Sequence, residues 1–167
     1  MYHIASTRFN NTTYKENMDC RQKSGESVLY GTGIRIHQKY EIGCLMFVCE
    51  MNNEENQIEG IGLIKNQVVH EKKYKIYSDS DYNRIIYRGS YWLSREQLIL
   101  LDEELVTIFD KMLFKGKSHL KRQSGITVVT EKLTKNWQQD LEQLKRRIKD
   151  LFISQFLVSA EGKQDSL

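Results

Sequence analysis

The hydrophobic pattern changes character part-way along the chain. In the first half, apolar residues come in short runs separated by Gly, Asn, Asp and Ser. In the second half they recur every three or four residues. His3–Arg8 predicts an opening strand. Thr13 followed by Glu16 has capping-box spacing and predicts a helix over Tyr14–Lys23. Gly25, Gly31 and Gly33 then break the chain into turns, with short strands predicted at Ser27–Tyr30 and Gly33–His37. Ile42–Met51 is the clearest strand, because Cys44-Leu45-Met46-Phe47-Val48-Cys49 is apolar on both faces, as a central strand must be. The polar stretch Asn52–Asn56 leads into a second apolar strand, Ile58–Ile64, and together they predict a hairpin. Lys73–Tyr77 and Arg84–Arg88 predict two more strands joined by a turn at Ser78–Asp81.

Ser94 with Gln97 forms a second capping box. Leu98, Leu101, Leu105, Ile108, Phe109 and Met112 follow at helical spacing. Ile126–Val129 predicts a last strand. Leu133, Trp137, Leu141, Leu144, Ile148, Leu151, Phe152 and Phe156 form one stripe and predict a single long closing helix, with a disordered tail over 159–167. The expected architecture is one α+β domain over 1–158. It is a small curled sheet or barrel with an N-terminal helix and two C-terminal helices packed on it.

At 167 residues, 40% hydrophobic and 28% charged, the chain can bury one ordinary core. It has no proline, so its turns rest on Gly, Asn, Asp and Ser. Cys20, Cys44 and Cys49 make an odd count. With no apolar leader at Met1-Tyr2-His3-Ile4, this predicts free thiols and an intracellular setting. The run Cys44–Cys49 is too short to cross a bilayer, so no membrane partner is expected.

Motifs for a cofactor or metal fail on spacing. Gly116-Lys117-Ser118 ends like a phosphate loop, but Lys111 stands where the first glycine is needed. Gly60-Ile61-Gly62 begins like a dinucleotide fingerprint, but Lys65 occupies the third glycine position. The two glycines instead predict a place where neighbouring elements approach closely. Asp79, Asp81 and Asn83 have calcium-loop spacing, but Arg84 and Ser90 break it. Cys44 and Cys49 fall on opposite faces of a strand, and the four histidines have no ligand spacing. No catalytic constellation, metal or cofactor is predicted.

Charge and aromatic placement point elsewhere. The net charge is only +3, but the positive residues gather in one region: Lys111, Lys115, Lys117, Lys121, Arg122, Lys132, Lys135, Lys145, Arg146, Arg147 and Lys149, against Glu131, Asp140 and Glu142. Such a block attracts phosphate. Tyr82-Asn83-Arg84-Ile85-Ile86-Tyr87-Arg88, with Tyr91 and Trp92 behind it, supplies rings and guanidinium planes that stack on unpaired bases. Thr7-Arg8-Phe9-Asn10-Asn11 lies where the first strand gives way to the first helix, and helix N–H groups there can hold an anion. Glu50-Met51-Asn52-Asn53 reads as a hairpin end.

The strand Ile42-Gly43-Cys44-Leu45-Met46-Phe47-Val48, followed by Ile58-Glu59-Gly60-Ile61-Gly62-Leu63-Ile64, resembles the PUA-like superfamily with its EVE and ASCH branches. Cys44 stands where those domains carry Asp. Glu50-Met51-Asn52-Asn53, Ile61–Asn66, Tyr82-Asn83-Arg84 and His119-Leu120-Lys121-Arg122 are also similar to uncharacterised proteins of large DNA viruses. The superfamily resemblance implies a small barrel with a cleft beside the first helix that holds RNA or a modified base. By position in that fold, Thr7, Arg8, Asn10 and Asn11 would line the cleft, with Arg84, Tyr87 and Arg88 nearby.

The expected function is therefore binding of RNA or of single-stranded or modified DNA. Lys117, Lys121, Arg122, Arg146 and Arg147 would contact phosphate, Arg84, Tyr87 and Trp92 would stack on or bracket a base, and His119 is counted among the binding residues. One alternative is a protein-interaction module that offers the stripe Trp137, Leu141, Leu144 and Ile148 to a partner. Another is an RNA-processing enzyme with Glu50 and His119 as acid and base.

Overall fold

The computed structural model describes the backbone of residues 1–164 and the side chains of residues 1–157. Strands β1 (Tyr2–Phe9), β2 (Val28–Thr32), β3 (Leu45–Asn52), β4 (Gln57–Lys65), β5 (Ile85–Gly89), β6 (Tyr91–Ser94) and β7 (Thr127–Val128) form two sheets. The larger has the order β6-β4-β3-β1-β7, and β2 pairs with β5 alone. β3 is its middle strand, parallel to β1 and antiparallel to β4.

The apolar run of β3 divides the protein into two cores. Phe47, Cys49 and Met51 face one way. They pack with Leu105, Phe109, Met112 and Leu113 of helix α2 (Arg95–Phe114) and with Leu144, Ile148 and Phe152 of helix α4 (Leu141–Gln164). Met46 and Val48 face the other way, onto Val28, Leu29, Tyr30, Ile86 and Tyr87 of the small sheet. Helix α1 (Asn11–Ser24) flanks that second core. A short helix, α3 (Glu131–Asn136), precedes α4. The result is three layers: helices, a five-stranded sheet, and a strand pair with α1.

The α+β class stands, and the sheet does not close into a barrel. β6 and β7 are its two edges, and the β2–β5 pair stacks as a separate layer. Gly89 lets β5 press on β4, since a Cβ there would collide with the Leu63 carbonyl.

Several expected elements shift for local reasons. α1 starts earlier than predicted because Asn10, not Thr13, is its cap. The Asn10 side chain accepts from Thr13 N at 2.8 Å, and Thr13 Oγ1 accepts from Asn10 N at 3.0 Å. Residues 73–77 are not a strand, because Asn83 Oδ1 takes the backbone N–H groups of Ile76 and Tyr77 at 3.2 and 2.9 Å. The turn that follows is a short 3₁₀ segment, Ser80–Asn83, and β5 pairs with β2 instead. Residues 33–37 are irregular: Ile36 N donates to the Tyr87 hydroxyl rather than to a strand.

β6 was not predicted. The long closing helix is interrupted: α3 ends at Trp137, Gln138 has a φ of 55°, and Asp140 restarts the chain by accepting from Gln143 N at 3.1 Å. α2 runs from its Ser94–Gln97 capping box as expected but is kinked at Asp102, where φ is −159°. The tail predicted from Ser159 begins as the last turns of α4, and 165–167 lie outside the described residues. Among the described residues, no helix is long and apolar enough to cross a membrane.

Candidate functional site

The parallel pairing of β1 with β3 brings their C-terminal ends to one edge of the molecule. Thr7, Arg8 and Arg84, three of the residues singled out in the sequence, line a single surface cleft there of about 290 Å³. Its other walls are Gly31–Ile34 at the end of β2, the Asp79–Tyr82 turn, and Ser124–Gly125 ahead of β7. The 3₁₀ turn approaches so closely because residue 31 is glycine: a Cβ there would collide with the Tyr82 carbonyl.

Both guanidiniums are held by backbone oxygens. Arg8 Nη1 donates to Lys121 O at 2.8 Å. Arg84 Nη2 donates to Gly33 O at 3.1 Å, and its Nε to Asp81 O at 3.3 Å. Tyr82 and Ile34 present rings and methyl groups to the cleft, each 53% exposed. Asp79 and Asp81 add carboxylates, so the cleft has mixed charge rather than a purely cationic wall.

The basic loop between α2 and β7 folds over the β3–β4 hairpin beside Arg8. Lys121 Nζ donates to Asn56 Oδ1 at 2.6 Å, Asn53 Nδ2 donates to Lys121 O at 3.0 Å, and His119 Nδ1 accepts from Lys121 N at 3.2 Å. Lys117 and Arg122 are exposed on this loop. Asn10 is spent on the cap of α1, and Asn11 donates to Glu54 and Glu55, so neither lines the cleft.

The remaining candidates lie elsewhere. Tyr87 is buried, with its hydroxyl accepting from Ile36 N. Arg88 pairs with Glu71 and Glu26 and donates to the Tyr74 hydroxyl. Trp92 is partly buried and packs against the second core, away from the cleft. These rings therefore do not bracket a base at the cleft, and the exposed ring there is Tyr82. Arg147 is paired with Asp102 and Glu104, while Arg146 is exposed. Next to Arg146, Lys145 and Lys149 lie over the ring of Tyr2, at 5.0 and 5.5 Å. Tyr2 is at the far end of β1 from Arg8, about 20 Å along an extended strand. The basic block is thus split between opposite ends of the sheet. Of the stripe Trp137, Leu141, Leu144 and Ile148, Leu144 and Ile148 are buried in the first core, and Trp137 and Leu141 are partly buried against it.

A second arrangement was not foreseen. α1 has little apolar surface, and the residues it buries are Asn17 and Arg21, one helical turn apart. Arg21 Nη2 donates to Glu50 Oε2 at 2.5 Å. The Tyr30 hydroxyl donates to the same oxygen at 2.7 Å, and Trp92 Nε1 donates to Oε1 at 3.0 Å. The guanidinium lies between two rings, its carbon 5.4 Å from the Tyr30 centroid and 5.6 Å from that of Trp92. Burial opposes the charge on Arg21, but the charge and hydrogen bond of Glu50 together with Tyr30 and Tyr14 outweigh it and raise the guanidinium above its ordinary value. Burial, then the Glu50 charge, push the Tyr30 phenol up as well.

The Gly60-Ile61-Gly62 motif makes room for this network. Gly60 pairs with Glu50 across the ladder. A Cβ there would sit 2.7 Å from Trp92 Nε1, and one on Gly62 would collide with the Tyr30 hydroxyl. Glu50 is sealed from solvent, so the acid–base role considered for it does not fit. The available signal for this network was a polar pair at helical spacing on a helix with no apolar stripe.

Compared with protein families, curated proteins and solved structures, the chain matches none.

Proposed function

We propose that this protein is a nucleic-acid-binding domain that takes an unpaired or modified nucleotide, of RNA or single-stranded DNA, at the cleft between the ends of β1 and β2 and the 3₁₀ turn. One observation carries the reading: Arg8, Arg84 and the exposed ring of Tyr82 line the same cleft. A flat exposed ring sharing a cleft with two anchored guanidiniums suits a stacked base with a phosphate held beside it. Lys121, Lys117 and Arg122 extend the positive surface along the neighbouring loop. Asp79 and Asp81 accept hydrogen bonds and favour base amino groups over a second phosphate. In this reading the chain is an open-sheeted, divergent relative of PUA-like domains.

Titration of a short fluorescent single-stranded oligonucleotide over a range of salt concentrations tests this. Binding that weakens as salt rises, and that Tyr82→Ala impairs, is expected. Undetectable binding at low salt overturns the proposal.

A further inference from the structure

A second cavity, of about 550 Å³, lies between α1, the start of β2, β6 and α4. It is not the cleft described above, and no residue is common to the two. Trp92, Phe156 and Arg21 are among its lining residues. Among the described residues, Arg21 Nε and Nη1 are buried and have no hydrogen-bond partner, while Nη2 donates to Glu50. Buried N–H groups without an acceptor are costly, and a guanidinium raises that cost.

The charges define what would fit. Among the described residues, Arg21 is the only cation lining the cavity, and Glu50 already neutralises it. Asp19 and Glu26 are the carboxylates lining the same space. A phosphate or carboxylate would meet two like charges and find no free positive charge. A carbonyl or ring nitrogen, by contrast, accepts from N–H groups without adding charge. The flat walls of Trp92 and Phe156 favour a ring.

We propose that this cavity binds an uncharged, flat heteroaromatic molecule whose carbonyl or ring nitrogen accepts from Arg21, with Trp92 and Phe156 as its walls. The Arg21 nitrogens are buried in the structure, so a ligand reaches them by displacing neighbouring side chains, and the Trp92 indole, whose ring lies 5.6 Å from the guanidinium carbon, reports it.

Nicotinamide and nicotinate, alike in shape and different in charge, are the probes. In the full chain, the Arg21 Nε–H and Trp92 Nε1–H signals are followed by ¹⁵N–¹H NMR. Nicotinamide is expected to shift both saturably with a Kd on the order of 1 mM, as suits so small a ligand. Nicotinate is expected to bind at least about tenfold more weakly, a difference of about 1.4 kcal/mol. Ser90→Phe, at an exposed position on the cavity wall, is expected to abolish the shifts while the rest of the spectrum is retained. The proposal is overturned by any of three results: no shift at about 10 mM nicotinamide, equal binding of nicotinate, or shifts that survive in Ser90→Phe. Oligonucleotide binding is measured separately at the other cleft, so the two proposals fail independently.

Discussion

The indole nitrogen of Trp92 donates to Glu50 Oε1 at 3.0 Å, across the space left by Gly60 on the intervening strand. This contact ties edge strand β6 to the central strand, and Arg21 and Tyr30 complete it from α1 and β2. Four elements thus meet on one carboxylate that has no solvent to turn to.

Removing one partner of this pair strands the other. Glu50→Ala is expected to destabilise the fold by about 3–5 kcal/mol, because Arg21 would be left buried and uncompensated. The double variant Arg21→Met, Glu50→Leu is expected to cost less than the sum of the two single changes. Urea unfolding of the four proteins of this cycle measures the coupling, and simple additivity would contradict it.

The two glycines opposite the network have a steric purpose. Gly60→Ala and Gly62→Ala are each expected to cost about 1–3 kcal/mol through overpacking against Trp92 and Tyr30. Gly43→Ala, by contrast, is expected to meet no neighbouring atom and to cost only its backbone strain at a φ of 87°. Thermal unfolding orders the three, and a smaller loss at position 60 or 62 than at 43 would count against the steric account.

The proposed nucleic-acid binding at the Arg8–Arg84 cleft makes position-specific demands, because the basic block is split. Arg8→Ala and Arg84→Ala are each expected to weaken oligonucleotide binding and to lower the salt slope by about 0.7. Tyr82→Ala is expected to cost about 1–3 kcal/mol of binding. Arg146→Ala, near the Tyr2 end of the sheet, is expected to leave binding unchanged. Equal losses for Arg8 and Arg146 would indicate diffuse attraction rather than a cleft.

His3 gives the fold one defined pH dependence. Burial, and then the positive charge of Lys145, hold its pKa below the ordinary 6.5. The unfolded chain therefore takes up the proton first. The contribution of neutral His3 is full above pH 6.5 and is lost as pH falls through that value toward the folded-state pKa. His3→Phe, which keeps the ring packed against Tyr40, is expected to flatten stability in that window. Unfolding midpoints measured between pH 5 and 8 are the check, and an unchanged pH profile would remove His3 as the cause.

Much of the framework was determined by the sequence alone. The apolar run of β3, its hairpin with β4, and the Ser94–Gln97 cap of α2 are local signals: burial on both faces, a polar turn and a capping geometry need only neighbouring residues. The Gly60-Ile61-Gly62 signal was also legible as a close approach, though not what approached. Tertiary structure decided the rest. Asn83 withheld residues 73–77 from a sheet by taking their N–H groups, and a positive φ at Gln138 separated two helices whose apolar stripe reads as one. Tyr87, Arg88 and Trp92 read in sequence as free rings and charges, yet each is committed to a partner far along the chain. The Arg8–Tyr82–Arg84 cleft and the Arg21–Glu50 pair exist only because β1 and β3 run parallel and α1 lies over β2. Side chains separated by tens of residues meet through strand order, and strand order is set by burial of the whole chain rather than by any local pattern.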